Sequence, residues 1–425
     1  MLFAETDMQL AAVFWVLWSL EICEKITHSY FLKRYKTVPL SEKPTYKSED
    51  VSLVIPTIDT ESTFSECLRL WLASKPHEII IVTVARNLGR VEELVLPVQD
   101  PACKVTILTA PAANKRQQLN LGIMAASGRI IALVDDDAYW RTRNVIPYLL
   151  APFENTKVGA VAGLQSPDFP IERQDSKVMT VWEALGAYDL HTNNSSRPAG
   201  FAADGGALSL SGRTLFVRGC ILQDEKFGEA FCHQRVGNKL VNGADDVFVT
   251  EWVFNHGWKI TVQNSPEATV TTNVKRDHKF IWQILRWERG NIRSLLARLF
   301  VNPGFRVMAQ THPYTTWNLV ELLLRPVRAL AFIMAWLYIM RTTPYVGLAY
   351  VLWAVFGWGG WIWVYGSFLK EYPYCVNQIW GPWLMDRVMP LVVIYAYVTM
   401  NNDQWLTRDA DVQEFQEARS EARKA

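Results

Sequence analysis

The stretch Ile130-Ile131-Ala132-Leu133-Val134-Asp135-Asp136-Asp137 decides the fold, because five apolar residues lead directly into three aspartates. A continuous apolar run of this length is typical of a strand buried on both faces of a parallel sheet. Ligands of open α/β sheets bind beyond the carboxyl ends of such strands. The stretch therefore predicts a central strand that ends at a ligand site.

Three further apolar runs of the same character precede it, at residues 51–56, 78–84 and 104–108. A helical pattern at 115–126 separates the last of these from the aspartate-tipped run. Strands that alternate with helices favour a parallel sheet. We therefore predict an α/β domain with a mostly parallel sheet and helices on both faces.

Composition excludes several classes of protein. The 43 basic and 42 acidic residues leave a net charge of +1, so no nucleic-acid partner is indicated. The six cysteines lack paired CxxC spacing. They are expected to be reduced thiols and not a disulfide framework or a zinc site.

Apolar segments flank the α/β domain and predict a lipid bilayer as a partner. Residues 8–20 are apolar and basic residues follow them, which by the positive-inside rule places the next domain in the cytoplasm. An interfacial helix is the alternative for this first segment. Three more apolar segments lie at 319–340, 346–368 and 382–400. We expect a multi-pass protein of the cell membrane with a cytoplasmic catalytic domain.

The expected organisation has five parts. They are an N-terminal transmembrane anchor (1–24), a cytoplasmic catalytic domain (48–275), interfacial helices (276–313), transmembrane and interfacial helices (314–402), and a terminal segment with a charged tail (403–425).

The aspartate triplet suits a divalent metal. Asp135 and Asp137 are two residues apart and project to one side of the strand end. Carboxylates bind hard cations such as Mg²⁺ or Mn²⁺, which neutralise the diphosphate of a nucleotide-sugar. An acidic turn or a helix cap is the alternative.

Asp245 and Asp246 follow Gly243-Ala244 and precede a predicted helix at 247–255. One of these carboxylates could take the proton of an acceptor hydroxyl as a general base, and we predict Asp246 in this role with Asp245 as its neighbour at the acceptor side. Plain capping of the helix is the competing interpretation.

Gln283, Arg286 and Trp287 share one helical face. Arg286 could bind phosphate through its planar fork of donors, and Trp287 could form a platform for a sugar ring. A helix in the membrane interface is the alternative. Lys115-Arg116, ahead of the aspartate-tipped strand, could add a cation near the nucleotide or be a solvated pair.

Together these residues resemble the DxD, GDD and QxxRW motifs of membrane-bound family 2 glycosyltransferases. Lys115-Arg116 before Leu119-Asn120 is similar to the lysine-arginine pair of that group. The segment 210–213 resembles its serine-glycine segment near the acceptor. The segment 405–408 resembles the gating loop of hyaluronan synthases. The set is most similar to the hyaluronan-synthase-like type 2 glycosyltransferases of filamentous fungi.

The resemblance implies a GT-A type fold and an inverting hexosyltransferase. Such an enzyme passes sugar from a nucleotide-sugar, here a UDP-sugar, to a growing outer polysaccharide that supports hyphal growth. It also implies the following roles: catalysis by Asp246 and Asp245; donor binding by Thr57, Lys115, Arg116, Asp135, Gln283, Arg286, Trp287, Trp405, Thr407 and Arg408; acceptor binding by Ser211, Gly212 and Trp287; and metal binding by Asp135 and Asp137. Two alternatives remain open, a single-transfer lipid glycosyltransferase of the ceramide glucosyltransferase type and a non-catalytic membrane scaffold.

Gating would require residues 405–408 to return to the catalytic side. The chain between 300 and 405 would then cross the membrane an even number of times. Asp386, Arg387 and Pro390 interrupt the segment 382–400. We therefore expect that segment to lie in the membrane plane, with the half-helix at 319–328 as the second candidate.

Overall fold

The computed structural model describes residues 2–236, 239–241 and 243–402. Trp405, Thr407 and Arg408, which were expected to bind the donor, lie outside the described residues together with the rest of 403–425.

The centre of the molecule is a seven-stranded sheet with the strand order β11-β6-β8-β4-β1-β2-β3. Neighbouring strands are parallel except at β8, which runs antiparallel to both β4 and β6. The strands are β1 Val51–Pro56, β2 Glu78–Val84, β3 Lys104–Ala110, β4 Ile130–Val134, β5 Ala138–Tyr139, β6 Val158–Gly163, β7 Gln165–Pro167, β8 Thr214–Arg218, β9 Arg235–Val236, β10 Lys239–Leu240, β11 Lys259–Gln263 and β12 Val270–Thr272. The predicted mostly parallel sheet is confirmed.

The helices cover both faces of this sheet and continue beyond it. They are α1 Leu2–Arg34, α2 Phe64–Ala73, α3 Leu88–Val95, α4 Lys115–Ala125, α5 Val145–Leu150, α6 Val181–Asp204, α7 Gly219–Leu222, α8 Glu225–His233, α9 Asp245–Asn255, α10 Lys279–Phe300, α11 Phe305–Thr311, α12 Pro313–Thr342, α13 Pro344–Phe356, α14 Trp361–Glu371 and α15 Trp380–Val398.

Two hydrophobic cores form because successive side chains of a strand point to opposite faces. Leu53 and Ile55 of β1 pack into one core, together with Trp71 of α2. Val54, between them, packs into the other core with Leu119 of α4. All of β1, β2 and β4 is buried, which explains why their sequences are apolar without alternation.

A small second sheet, β5-β12-β7, fixes the chain just after the aspartates. Thr272 of β12 pairs with Ala138 of β5 and with Pro167 of β7. The carboxyl end of β4 is thereby tied to the segment that leads into α10.

Helix α6 connects the catalytic sheet to the C-terminal helices. A capping box starts it, in which Thr180 accepts from the Glu183 N–H and Glu183 accepts from the Thr180 N–H. It ends at Gly205, whose φ of 74° is left-handed. Along its length it contacts α1, α12 and α15. It therefore forms one wall between the sheet and the apolar part of the molecule.

Two segments of the described chain are long and apolar enough to cross a membrane, Pro313–Thr342 and Pro344–Glu371. The second is not the single helix expected at 346–368. It breaks between α13 and α14, where Gly359 adopts a φ of 68°. Helix α1 runs to Arg34, well beyond the expected anchor at 1–24, and it is not among the two candidates. Its Glu24 pairs with Arg328 of α12.

Candidate active site

A cavity of about 740 Å³ opens at the carboxyl ends of β1 and β4. Of the predicted site residues that the structure describes, all except Arg116 line it: Thr57, Lys115, Asp135, Asp137, Ser211, Gly212, Asp245, Asp246, Gln283, Arg286 and Trp287. Segments that are far apart in sequence thus meet around one space.

The three aspartates after β4 each meet a different partner. The Asp135 N–H donates to the Arg213 carbonyl at 3.1 Å, which extends the pairing of β4 with β8. Asp136 accepts from the Thr57 hydroxyl at 2.7 Å. Asp137 accepts from the Thr272 hydroxyl at 3.2 Å. Thr57 therefore contacts the triplet directly while it lines the cavity.

Lys115 joins the two acidic motifs. Its ammonium lies 2.8 Å from Asp135 and 3.0 Å from Asp245. Lys115 is the first residue of α4, after the capping residue Asn114. A cation at this end of a helix is unfavourable unless anions compensate it. Burial lowers the pKa of Lys115, but the two carboxylates outweigh burial and raise it above its ordinary value.

Asp245 and Asp246 begin α9 and have opposite electrostatic environments. Burial disfavours the charge of Asp245, yet the neighbouring Lys115 ammonium holds its pKa below the ordinary value. Burial and the adjacent Asp245 charge raise the pKa of Asp246. Asp246 is therefore the more basic carboxylate of the pair, as a general base requires.

Backbone N–H groups hold the Asp246 side chain in place. Its Oδ2 accepts from the Gly212 N–H at 3.2 Å, and its Oδ1 accepts from the Val247 N–H at 2.9 Å. A Cβ atom at Gly212 would lie only 3.0 Å from the Asp246 Cβ. The serine-glycine segment thus needs its glycine so that it can approach the carboxylate.

Arg116 differs from the expectation that it binds the donor. Its guanidinium donates to the carbonyls of Gly243, Ala244 and Phe231 at 2.9–3.3 Å and to the Gln234 amide oxygen at 2.6 Å. Only 2% of its surface is exposed. The side chain fixes the turn before α9 and faces away from the cavity.

The cavity-facing side of α10 carries Gln283, Arg286 and Trp287. Gly290, one turn further along α10, lets the helix approach the turn before α9, because a Cβ there would lie 3.1 Å from that of Ala244. The Arg213 guanidinium lies 5.8 Å from the Trp287 ring. Trp287 therefore faces the cavity and not the molecular surface.

Residues 48–290 match the sequence model of a family described as "Glycosyltransferase like family 2". The chain belongs to this family. It is 53% identical over 402 residues to the NDP-glycosyltransferase ltbB of Aspergillus luteorubrus, covering 94% of this chain and 98% of that protein. It is 35% identical over 292 residues to a type 2 glycosyltransferase of Zymoseptoria tritici, covering 68% of this chain and 59% of that one.

Among solved structures, the fold is similar to that of a mannosyltransferase from Pyrobaculum calidifontis in complex with GDP-Man and Mn²⁺. The TM-score is 0.59 at 16% identity, over 94% of this chain and 100% of that one. The GT-A-like architecture is thus confirmed. The protein is a nucleotide-sugar glycosyltransferase of family 2.

The carboxylates of this family 2 site fit a divalent cation that is shared with the donor. Among residues 2–236, 239–241 and 243–402, no three His, Cys, Asp or Glu side chains form a ready-made metal cluster. Mg²⁺ is commonly held by one or two carboxylates together with substrate phosphates. Asp135 and Asp137 could supply that pair of carboxylates.

Further polar side chains line the same cavity and were missed in the sequence. They are Asp189, Asn193 and Arg197 of α6, Glu288 of α10, Arg325 of α12 and Asp386 of α15. The spacing of the first three, four residues apart, was the available signal. The sequence alone obscures this spacing because the run Asn193-Asn194-Ser195-Ser196 is typical of a loop, whereas it lies inside α6.

Proposed function

We propose that this protein transfers a sugar from a UDP-sugar to an acceptor hydroxyl with inversion, with Asp246 as the general base. The observation that carries the proposal is the pairing at the start of α9. Asp246 has a raised pKa and faces the cavity, while Asp245 is neutralised by Lys115. A carboxylate with raised basicity suits proton abstraction near neutral pH.

In this mechanism, Asp246 takes the proton of the acceptor hydroxyl. The acceptor oxygen then bonds to the anomeric carbon from the face opposite the diphosphate, and the bond to the diphosphate oxygen breaks. Lys115 and Arg286 stabilise the charge that develops on the leaving nucleoside diphosphate. Asp135 and Asp137 would hold a Mg²⁺ or Mn²⁺ ion, which would neutralise further charge on the diphosphate.

The remaining donor and acceptor roles follow from position in the cavity. Thr57, Asp135 and Gln283 join Lys115 and Arg286 on the donor side. Ser211 and Gly212 lie beside Asp246 and, with Trp287, receive the acceptor. The same donor role is proposed for Trp405, Thr407 and Arg408.

The enzyme is proposed to be embedded in the cell membrane by Pro313–Thr342 and Pro344–Glu371, with its catalytic domain in the cytoplasm. Its acceptor is proposed to be a growing outer cell-wall polysaccharide, in support of the cell surface and hyphal growth. Similarity to the fungal type 2 glycosyltransferases supports the glycosyl transfer in this proposal. However, the matched region spans only 55–59% of those relatives.

A second candidate is a single transfer to a membrane lipid. One wall of the cavity is apolar and is formed by Leu185, Ile284, Met385 and Met389. Flexible methionines adapt to varied apolar ligands. Because α15 contributes both methionines, this wall leads from the site towards the apolar helices.

Product analysis separates these possibilities. The purified full chain in lipid nanodiscs is incubated with a panel of UDP-sugars and Mn²⁺, with membrane lipids and with oligosaccharides. A polymer supports the first candidate, and one glycolipid supports the second. If neither transfer nor donor hydrolysis occurs with any UDP-sugar, the proposed donor chemistry is wrong.

A further inference from the structure

Helix α6 presents a polar row to the cavity. Asp189, Asn193 and Arg197 are spaced four residues apart, so they lie along one face of the helix, and all three line the cavity. The mechanism above uses none of them. Charged groups are rarely placed facing an enclosed space without a partner or a ligand to receive them.

Arg197 lies at one end of the row, within electrostatic range of Asp246. Its Nη1 atom is buried and has no hydrogen-bond partner among the described residues. A buried donor without an acceptor is unfavourable, and such groups in native proteins call for an explanation. Because this guanidinium borders the same cavity as the proposed base, an oxygen atom of the acceptor is the natural partner.

The polar row of α6 continues onto residues of α10 and α12. Asp189 accepts a hydrogen bond from the Asn193 amide at 3.2 Å. Asp189 lies within electrostatic range of Glu288 of α10, which carries the same charge. Glu288 in turn lies within range of Arg325 of α12, whose opposite charge favours the carboxylate. The polar groups thus continue from α6 through α10 to α12, whereas Lys115 pairs with Asp135 after β4 and with Asp245 at the start of α9.

The charges along this path compensate each other. Asp189 lies within range of Arg197 and Arg213, and Glu288 lies within range of Arg325. An anionic ligand would face two carboxylates, and a cationic one would face the arginines. A neutral ligand rich in hydroxyl groups meets neither penalty, and it can both donate to the carboxylates and accept from the guanidinium and the amide.

We propose that Asp189, Asn193 and Arg197 form an acceptor subsite for a neutral sugar unit, which they hold by paired hydrogen bonds to its hydroxyls. The apolar face of the ring packs against the wall formed by Leu185, Ile284 and Met385. This proposal rests on the proposed function and specifies its acceptor. A polymer whose acceptor end is a uronate is excluded from this subsite.

The test uses the full chain in lipid nanodiscs with its preferred UDP-sugar, with cellotetraose as the neutral probe and tetragalacturonate as the anionic probe. Asp189→Asn, Asn193→Ala and Arg197→Lys are compared with the wild type. Ser195→Ala is the matched control on the same helix, because its hydroxyl donates to the Thr192 carbonyl and does not line the cavity.

In the row variants, the KM for cellotetraose should rise about 10- to 100-fold, as expected for loss of a hydrogen bond to a charged group. The Kd for UDP should stay the same, which also shows that each variant is folded. Ser195→Ala should match the wild type in both quantities. The wild type should transfer to cellotetraose and not to tetragalacturonate.

Three results would overturn the subsite. The first is an unchanged KM for cellotetraose in all three variants. The second is transfer to tetragalacturonate as efficient as transfer to cellotetraose. The third is a wild type that hydrolyses the donor and glycosylates a lipid alcohol but neither oligosaccharide, and in that case the proposed donor chemistry stands. Failure of the wild type to consume any UDP-sugar overturns the proposed function itself.

Discussion

Asp245 and Asp246 show how two identical neighbouring side chains acquire different chemistry. Lys115 pairs with Asp245 and not with Asp246, so the pKa of the first falls while that of the second rises. The sequence predicted the pair, with Asp246 as the general base, but the spacing of the two residues gives no physical reason for that choice. The assignment depends on Lys115, which is 130 positions away in the chain and reaches Asp245 only after the sheet has formed.

Asp246→Asn should reduce turnover on the order of 10²-fold or more, because general-base catalysis typically contributes that much. The Asn side chain keeps an oxygen for the Gly212 N–H, so the fold and UDP binding should persist. Turnover and the Kd for UDP are measured side by side. Asp175→Asn, at a surface turn, is the control. Near-normal turnover in Asp246→Asn would remove Asp246 from the role.

The raised pKa of Asp246 predicts the acid limb of the pH–rate profile. The base acts only when it is deprotonated, so kcat/KM should fall as the pH drops through its raised pKa, above the range of an ordinary aspartate. Asp245, with its lowered pKa, stays ionised through this range. The profile of kcat/KM against pH measures the limb. In Asp246→Asn the residual rate should lose it, and a limb that persists there must belong to another group.

Removal of the metal should abolish transfer. Without a cation between them, the carboxylates of Asp135 and Asp137 repel the negatively charged diphosphate. We expect excess EDTA to stop activity and Mn²⁺ or Mg²⁺ to restore it. In Asp137→Asn, restoration should need more metal, since one anionic ligand is lost. The metal titration of the rate measures both effects. Full activity in excess EDTA would contradict a metal at these carboxylates.

At the scale of elements, local patterns predicted what is locally determined. The strands at 51–56, 78–84 and 130–134 match because burial on both faces requires continuous apolar residues. The helix expected at 115–126 matches α4, Lys115–Ala125. The pattern failed where distant contacts decide. Helix α6 continues through Pro198, a residue that usually ends a helix. The apolar segment expected at 346–368 is broken at Gly359.

Arg116 is expected to matter for stability, since it holds the turn before α9. Arg116→Leu leaves several buried carbonyls without donors, at about 1–3 kcal/mol each. We expect the free energy of unfolding to fall by about 3 kcal/mol and the catalytic rate to fall with it. Denaturant unfolding measures the first quantity. Arg129→Ala, whose side chain is 57% exposed, should change neither. An unfolding free energy close to that of the wild type would show that the turn does not depend on Arg116.

At the scale of the whole molecule, the cavity is the feature that no single motif predicts. Sequence motifs identified residues on β4, α9 and α10, but the remaining wall comes from α6, α12 and α15. The sequence patterns of these helices, each considered alone, do not show that they share a site. Only packing of α6 between the sheet and the apolar helices brings Arg197 to the cavity that Asp246 also lines.

Membrane topology is the last quantity that the whole molecule constrains. If both candidate spans, Pro313–Thr342 and Pro344–Glu371, cross a membrane, they return the chain to the side where it started. Helix α15 follows them and carries Asp386, whose carboxylate accepts hydrogen bonds from Tyr188 of α6 and Tyr365 of α14 at 2.9 and 2.6 Å. Because Tyr188 and Asp386 both line the cavity, these hydrogen bonds hold α15 against the catalytic side of the molecule.

We therefore predict that residues 405–425 lie on the cytoplasmic side with the catalytic domain. An epitope tag after residue 425 should be labelled by antibody only after the cells are permeabilised. A tag inserted at the turn between α12 and α13, at Thr343, should be labelled in intact cells and serves as the matched control. Labelling of the C-terminal tag in intact cells would give an odd number of crossings. It would also separate Trp405, Thr407 and Arg408 from the donor site, and with them the argument for a processive polymerase.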